Sequence, residues 1–201
     1  MGKIANWEQL REYRKILKKV LSKSRYEHVL GVEFTSASLA MRYGASVQQA
    51  QLAGLMHDCA KYLSEEELLE ECDRYKISVT EAEKRSPYLL HGKVGACYCK
   101  IRYEIEDPEI LSAIIYHTTG KPAMSILEKI VYVADYIEPK RDKAPNLELI
   151  RRMAFIDLDE AIYLITRDIL AYLKEDGSNS IDGLTKETFD YYKRIHDTKK
   201  E

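Results

Sequence analysis

Apolar residues recur along most of this chain at spacings of three and four, the period of a helix with one buried face. Leu10, Tyr13, Leu17, Val20 and Leu21 form the first such stripe, which starts at Asn6, with Gln9 completing a capping box, and runs to about residue 22. Ser24 with Glu27 predicts the start of a second helix, closed by Gly44. Ser46 with Gln49 opens a third, which carries the apolar stretch 52–56 into His57-Asp58, and Ser64 with Glu67 opens a fourth. Further helices are expected over 87–103, 108–117, 125–137, 146–154, 158–174 and 186–197. Asp107-Pro108 supplies a cap followed by proline at the first helical position. Asp157 with Glu160 starts the long late helix, and Gly177 ends it. The run 130–133 is β-branched, yet it lies inside the stripe Ile126, Leu127, Ile130, Val131, Ala134 and Ile137, so it reads as helix. No strand is predicted, and the fold class is all-α. The segment 138–146, rich in proline and charge, reads as a functional loop, 176–183 as a small-polar loop, and 197–201 as a frayed tail.

Length and composition narrow this picture. A chain of 201 residues is most simply one domain, here 1–201 with its core over about 7–195, and is long enough to bury a real core. The formal net charge of −2 removes the global basic field that non-specific nucleic-acid binding needs, so an anionic ligand must be held by local charge or by metal. No apolar run approaches the roughly 18 residues of a membrane span, and the polar N-terminal stretch is no signal-peptide core. Cys59, Cys72, Cys97 and Cys99 lack paired CxxC spacing and read as reduced, mostly buried thiols of a cytoplasmic protein.

Four of the five histidines carry the chemistry. His57-Asp58 ends an apolar helix segment, where buried polar groups need partners. His28 shares a helix face with Arg25, His91 follows Tyr88-Leu89-Leu90, and His117 ends the stripe Ile110, Leu111, Ile114, Ile115 before Thr118-Thr119-Gly120. Asp135 sits inside the apolar helix 125–137, an expensive place for a lone carboxylate. Each has an ordinary alternative: a surface histidine, a satisfied core histidine, a helix cap. Together they are a histidine and aspartate set suited to iron, manganese or zinc, large enough for two ions that share one carboxylate. His196-Asp197 is a second His-Asp pair, but in a charged terminal stretch with no apolar flank, and is read as a solvated surface pair.

The set His28, His57-Asp58 and Asp135 resembles that of the HD superfamily of metal-dependent phosphohydrolases. The surrounding words are more specific. Arg25-Tyr26-Glu27-His28-Val29, His57-Asp58-Cys59-Ala60-Lys61, Leu90-His91-Gly92, His117-Thr118-Thr119-Gly120 and Ala134-Asp135-Tyr136-Ile137-Glu138-Pro139-Lys140-Arg141 resemble the YqeK family of bacterial symmetrical diadenosine tetraphosphate hydrolases, over about residues 7–195. Where guanosine-alarmone hydrolases of the superfamily carry an acidic pair, this chain has Lys61-Tyr62.

The resemblance implies an HD-domain helical bundle in which His28, His57, Asp58 and Asp135 bind a first metal, iron before manganese or another transition metal. Asp58 bridges to a second ion held by His91 and His117. It implies a metal-bound hydroxide as nucleophile, with Asp58 and Lys61 as catalytic residues. The substrate, a dinucleoside polyphosphate, would be met by Arg25, Lys61, His91, His117, Thr118, Thr119 and Arg141, and cut into two ADP; ADP or GDP would bind as product-like ligands. Arginine can grip phosphate bidentately, while lysine acts as a point charge. No membrane and no stable nucleic-acid partner is expected, and monomer and homodimer both stay open. Two rivals are an HD phosphohydrolase of another nucleotide and a non-catalytic, metal-dependent nucleotide-binding module.

Overall fold

The computed structural model describes residues 7–175 and 182–200. The helices are α1 (Trp7–Val20), α2 (Lys23–Tyr43), α3 (Val47–Met56), α4 (Glu65–Arg74), α5 (Glu81–Arg85), α6 (His91–Arg102), α7 (Pro108–Tyr116), α8 (Ile126–Ile137), α9 (Leu147–Ala154), α10 (Leu158–Glu175) and α11 (Gly183–Thr198), with a 3-10 turn at Pro87–Leu90. No strand occurs among the described residues, and the fold is all-α.

Local chemistry sets most helix starts. Ser64 and Glu67 form a reciprocal capping box, as do Ser125 and Glu128. Asp107 accepts from the Glu109 amide with Pro108 at the first helical position. Asp157 accepts from the amides of Asp159 and Glu160. Gly44, with φ of 67°, closes α2 in the left-handed region.

Four boundaries differ from the sequence expectation. Helix α2 starts at Lys23 because Ser22, not Ser24, is the cap and takes the Arg25 amide at 3.3 Å. The helix expected from 87 begins as the 3-10 turn, and α6 itself starts at His91. Helix α5 arises from a second box, Thr80 with Glu83. Helix α11 starts at Gly183, where the Asp182 carboxylate takes the amides of Leu184 and Thr185, and it runs to Thr198, past the expected onset of fraying. The Asn6 cap and the stop at Gly177 lie outside the described residues.

Helices α2, α3, α7 and α8 pack around one another, with α6 against α7 and α10 against α8, α9 and α11. One hydrophobic cluster joins them, from Leu10 and Leu17 of α1 to Tyr192 of α11. All of Leu52, Ala53, Leu55 and Met56 are buried, which explains why α3 reads as apolar on every side. Gly54 lets α3 close on α2: a Cβ there would lie 2.7 Å from Ser36 Oγ and 3.0 Å from the Val32 carbonyl oxygen. Arg14 grips the fully buried Glu33 with two guanidinium nitrogens and ties α1 to α2. The ends of α3 and α7, the start of α6, the first turns of α2 and the last turn of α8 are thereby brought to one place.

Candidate metal centre

His28, His57, Asp58, His91, His117 and Asp135 converge at that place. Their ligand atoms form three overlapping groups, His28-His57-Asp58, His57-His117-Asp135 and Asp58-His91-His117, within each of which the atoms lie no more than 4.8 Å apart. Asp58 joins two sides. Its Oδ2 is 3.4 Å from His57 Nε2 and 3.8 Å from His28 Nε2, while Oδ1 is 3.2 Å from His91 Nε2 and 3.6 Å from His117 Nε2. Asp135 Oδ1 lies 3.0 Å from His28 Nε2 and 3.8 Å from His57 Nε2.

Helix ends aim the imidazoles. His57 and His117 occupy the C-caps of α3 and α7, where the last carbonyls of a helix lack an in-helix partner. The His57 ring donates from Nδ1 to the Gly54 carbonyl, and the His117 ring from Nδ1 to the Ile114 carbonyl, each at 2.7 Å. His91 Nδ1 meets the Tyr88 carbonyl at 2.5 Å, and His28 Nδ1 meets Glu138 Oε1 at 3.2 Å. These partners assign the protons to Nδ1 and leave the Nε2 lone pairs facing inward. Nε2 of His91 and His117 are 3.0 Å apart, and those of His28 and His57 are 3.3 Å apart. Facing lone pairs beside two carboxylates call for a cation, and nitrogen and oxygen donors suit a transition-metal ion. The residues fit a metal centre with a shared carboxylate.

Electrostatics agree. Burial opposes ionisation of Asp58, but the surrounding imidazoles, His57 foremost, outweigh it and hold the carboxyl well below its ordinary value. Burial likewise opposes ionisation of Asp135, and the neighbouring histidines, His28 first, reverse it. Burial pushes His91 down to about 4, which keeps its ring neutral and its lone pair available. Burial also lowers His28, yet its interactions with Asp135, Asp58 and Glu138 prevail and raise it.

Arg25, Lys61 and Arg141 all lie beside the cluster. Arg25 Nη1 sits 2.7 Å from Asp58 Oδ2, and Arg141 Nη2 bonds the Asp135 carbonyl at 2.8 Å and Oδ1 at 3.1 Å. These two expected phosphate contacts, Arg25 and Arg141, therefore rest on the candidate ligand carboxylates. Lys61 Nζ lies 3.3 Å from His91 Nδ1, and burial lowers its pKa. Thr118 Oγ1 is 3.0 Å from His117 Nε2, whereas the Thr119 hydroxyl donates to the Gly120 carbonyl and does not reach the cluster. A cleft of about 460 Å³ opens beside Thr118, with Leu89, Ile115, Tyr116, Thr119 and Leu184 among its walls.

Glu138 was not singled out as a site residue. Its signal was an acid directly after an apolar helix and before a proline; its partner His28 is 110 residues away, which no local pattern shows. His196 takes part in none of the three groups. It is not solvated as expected: it pairs with Glu160 at 2.7 Å and stacks on Tyr163 at 4.0 Å. Cys59, Cys72 and Cys99 are buried, Cys97 is half-buried, and all four are free thiols.

Residues 25–140 match the HD domain family model. The chain is 38% identical over 157 residues to the symmetrical bis(5'-nucleosyl)-tetraphosphatase of Bacillus subtilis, covering 78% of this chain and 83% of that protein. It is 43% identical over 147 residues to the protein of the same name from Halalkalibacterium halodurans, covering 73% and 78%. The crystal structure of a Clostridium acetobutylicum protein described as a predicted HD superfamily hydrolase involved in NAD metabolism superposes with a TM-score of 0.88 at 35% identity, over 96% of this chain and 99% of that one.

Proposed function

Given that the chain belongs to the HD-domain family and, within it, to the symmetrical bis(5'-nucleosyl)-tetraphosphatases, we propose that it hydrolyses diadenosine tetraphosphate between the two central phosphates and releases two ADP. The observation that carries this reading is Asp58, whose two oxygens each face a different set of histidines. His28, His57, Asp58 and Asp135 would hold one ion and Asp58, His91 and His117 a second, with iron the first choice and manganese or another transition metal the alternative. Bound ions would supply an activated water and a clamp on the oxygens of the displacement.

The remaining residues bind and orient. The Lys61 ammonium stands beside His91 and offsets phosphate charge without ligating an ion. Arg25 and Arg141 balance the two carboxylates and keep further N–H donors for phosphate oxygens. The Thr118 hydroxyl, at the edge of His91 and His117, marks where the cleft meets the cluster. A mostly apolar cleft of that size suits one nucleoside half. Cleavage is symmetrical when that half is an ADP unit and the clamp falls on the central pair of phosphates.

The continuous cluster from α1 to α11 supports reading the chain as a single HD domain. No helix among the described residues is long and apolar enough to cross a membrane. The four free thiols support a cytoplasmic setting. The test is anaerobic purification with metal analysis, then assay on diadenosine tetraphosphate with ADP separated from ATP and AMP. ADP as the sole primary product is expected; equal ATP and AMP would refute symmetrical cleavage.

A further inference from the structure

His28 differs from the other three histidines in what aims it. His57, His91 and His117 each rest Nδ1 on a backbone carbonyl three residues earlier in their own segment. His28 lies inside α2, where nearby carbonyls are engaged in the helix ladder, so its ring needs a side chain from elsewhere. Glu138, at the C-cap of α8 and only 3% exposed, supplies Oε1 at 3.2 Å.

The seat of that carboxylate is built from three sides. Gly31 lies one turn after His28 on the same face of α2, and a Cβ there would fall 2.6 Å from Glu138 Oε2 and 3.3 Å from its Cδ. The Lys140 amide donates to Oε2 at 2.7 Å. Arg151, from α9, donates to the carbonyls of Ile137, Glu138 and Arg141 at 2.8–2.9 Å and fixes the backbone that carries the carboxylate.

We infer that Glu138, seated against the bare Cα of Gly31, is a positioning residue that fixes the His28 ring with Nε2 toward Asp58 and Asp135. The inference rests on reading the cluster as a metal centre and goes beyond it by assigning a residue that touches neither ion nor substrate. A carboxylate on the far nitrogen sets the tautomer and orientation of a ligating imidazole, and losing such a partner typically costs about 10- to 100-fold in metal affinity.

The test is a Mn²⁺ titration of the metal-free full-length protein, with free ion followed by electron paramagnetic resonance and folding followed by thermal melting. The wild type should bind two ions. Glu138→Ala should bind one of them about 10- to 100-fold more weakly and leave the other unchanged. Glu138→Gln, whose single oxygen can accept from Nδ1 only by giving up the Lys140 amide, should recover part of the loss. Gly31→Ala should weaken the same ion, because the new methyl displaces the carboxylate, without lowering the melting midpoint of the metal-free protein. In the Glu138→Ala background, Gly31→Ala should add no further loss, a non-additivity that a purely structural role of either residue would not produce.

Wild-type affinity in Glu138→Ala overturns the inference, as does an equal loss from Gly31→Ala whether or not Glu138 is present. If Glu138→Ala fails to fold, Gly31→Ala decides alone: unchanged affinity overturns the proposal, and weakened binding of one ion with an unchanged melt supports it. The titration contains no nucleotide, so it is independent of which nucleotide is cleaved. A wild type that takes up no Mn²⁺ would overturn the metal reading itself and this inference with it.

Discussion

At the scale of single residues, five of the six candidate ligands stand out in the sequence for one physical reason. His57, Asp58, His91, His117 and Asp135 are polar groups beside or inside apolar helix segments, where an unpaired donor or acceptor is costly, whereas His28 is marked by the face it shares with Arg25. Solvation was misjudged where it depends on distant packing: His196 is covered by Glu160 and Tyr163 of α10, which no reading of its own helix reveals. Lys61 is the residue whose role is most open to measurement. A protonated ammonium cannot ligate an ion, so Lys61→Ala should keep the metal content of the wild type while kcat falls. Removing one charge-assisted hydrogen bond from a dry site costs roughly 2–4 kcal/mol of transition-state stabilisation, or about 30- to 1,000-fold in rate. A rise in KM at constant kcat would instead mean that Lys61 binds ground state and transition state alike, and no change in either would make it a bystander.

At the scale of elements, helix starts were legible where a cap and its partner lie three residues apart, as at Ser46, Ser64 and Asp157. They were misplaced where two serines competed, and Ser22 won over Ser24. The short α5 was missed although Thr80 and Glu83 match the same box, because no apolar stripe follows to mark it. The box on α8 also makes a pH prediction. Burial opposes ionisation of Glu128, but Lys121 at 2.7 Å, the Ser112 hydroxyl and the Ser125 amide together depress its pKa below the ordinary 4.5. A depressed carboxyl stabilises the fold fully above its unfolded value and loses that stabilisation as pH falls through the folded one. Glu128→Gln should therefore cost about 1–2 kcal/mol at pH 7. The gap to the wild type, read from urea midpoints, should narrow steadily below about pH 4.5. A gap that stays constant down to pH 3 would mean that packing, not charge, is what Glu128 provides.

At the scale of the whole molecule, α2, α3, α6, α7 and α8 are held by a hydrophobic cluster that does not depend on the histidines, so the fold should survive without metal. Saturation of one site at a hundred times its dissociation constant adds about 2.7 kcal/mol, which for a chain of this size is about 5–10 °C in melting midpoint. Chelation should lower the midpoint by that order while leaving the far-ultraviolet helical signal intact; collapse of that signal would make the metal structural instead. Convergence of the six candidate ligands could be anticipated only through the resemblance of the surrounding words, since nothing in the spacing of residues 28, 57, 91, 117 and 135 fixes how five helices cross. The orientation of His28 by Glu138 required the packing of α8 on α2, and so was not legible. If Asp58 joins two ion sites on one folded molecule, the number of Mn²⁺ ions bound by Asp58→Ala, with His91→Ala alongside for comparison, reveals it. Asp58→Ala should lose tight binding of both ions together and His91→Ala of one, with helicity unchanged in each. Asp58→Ala that still holds two ions, or loses no more than His91→Ala does, would contradict it.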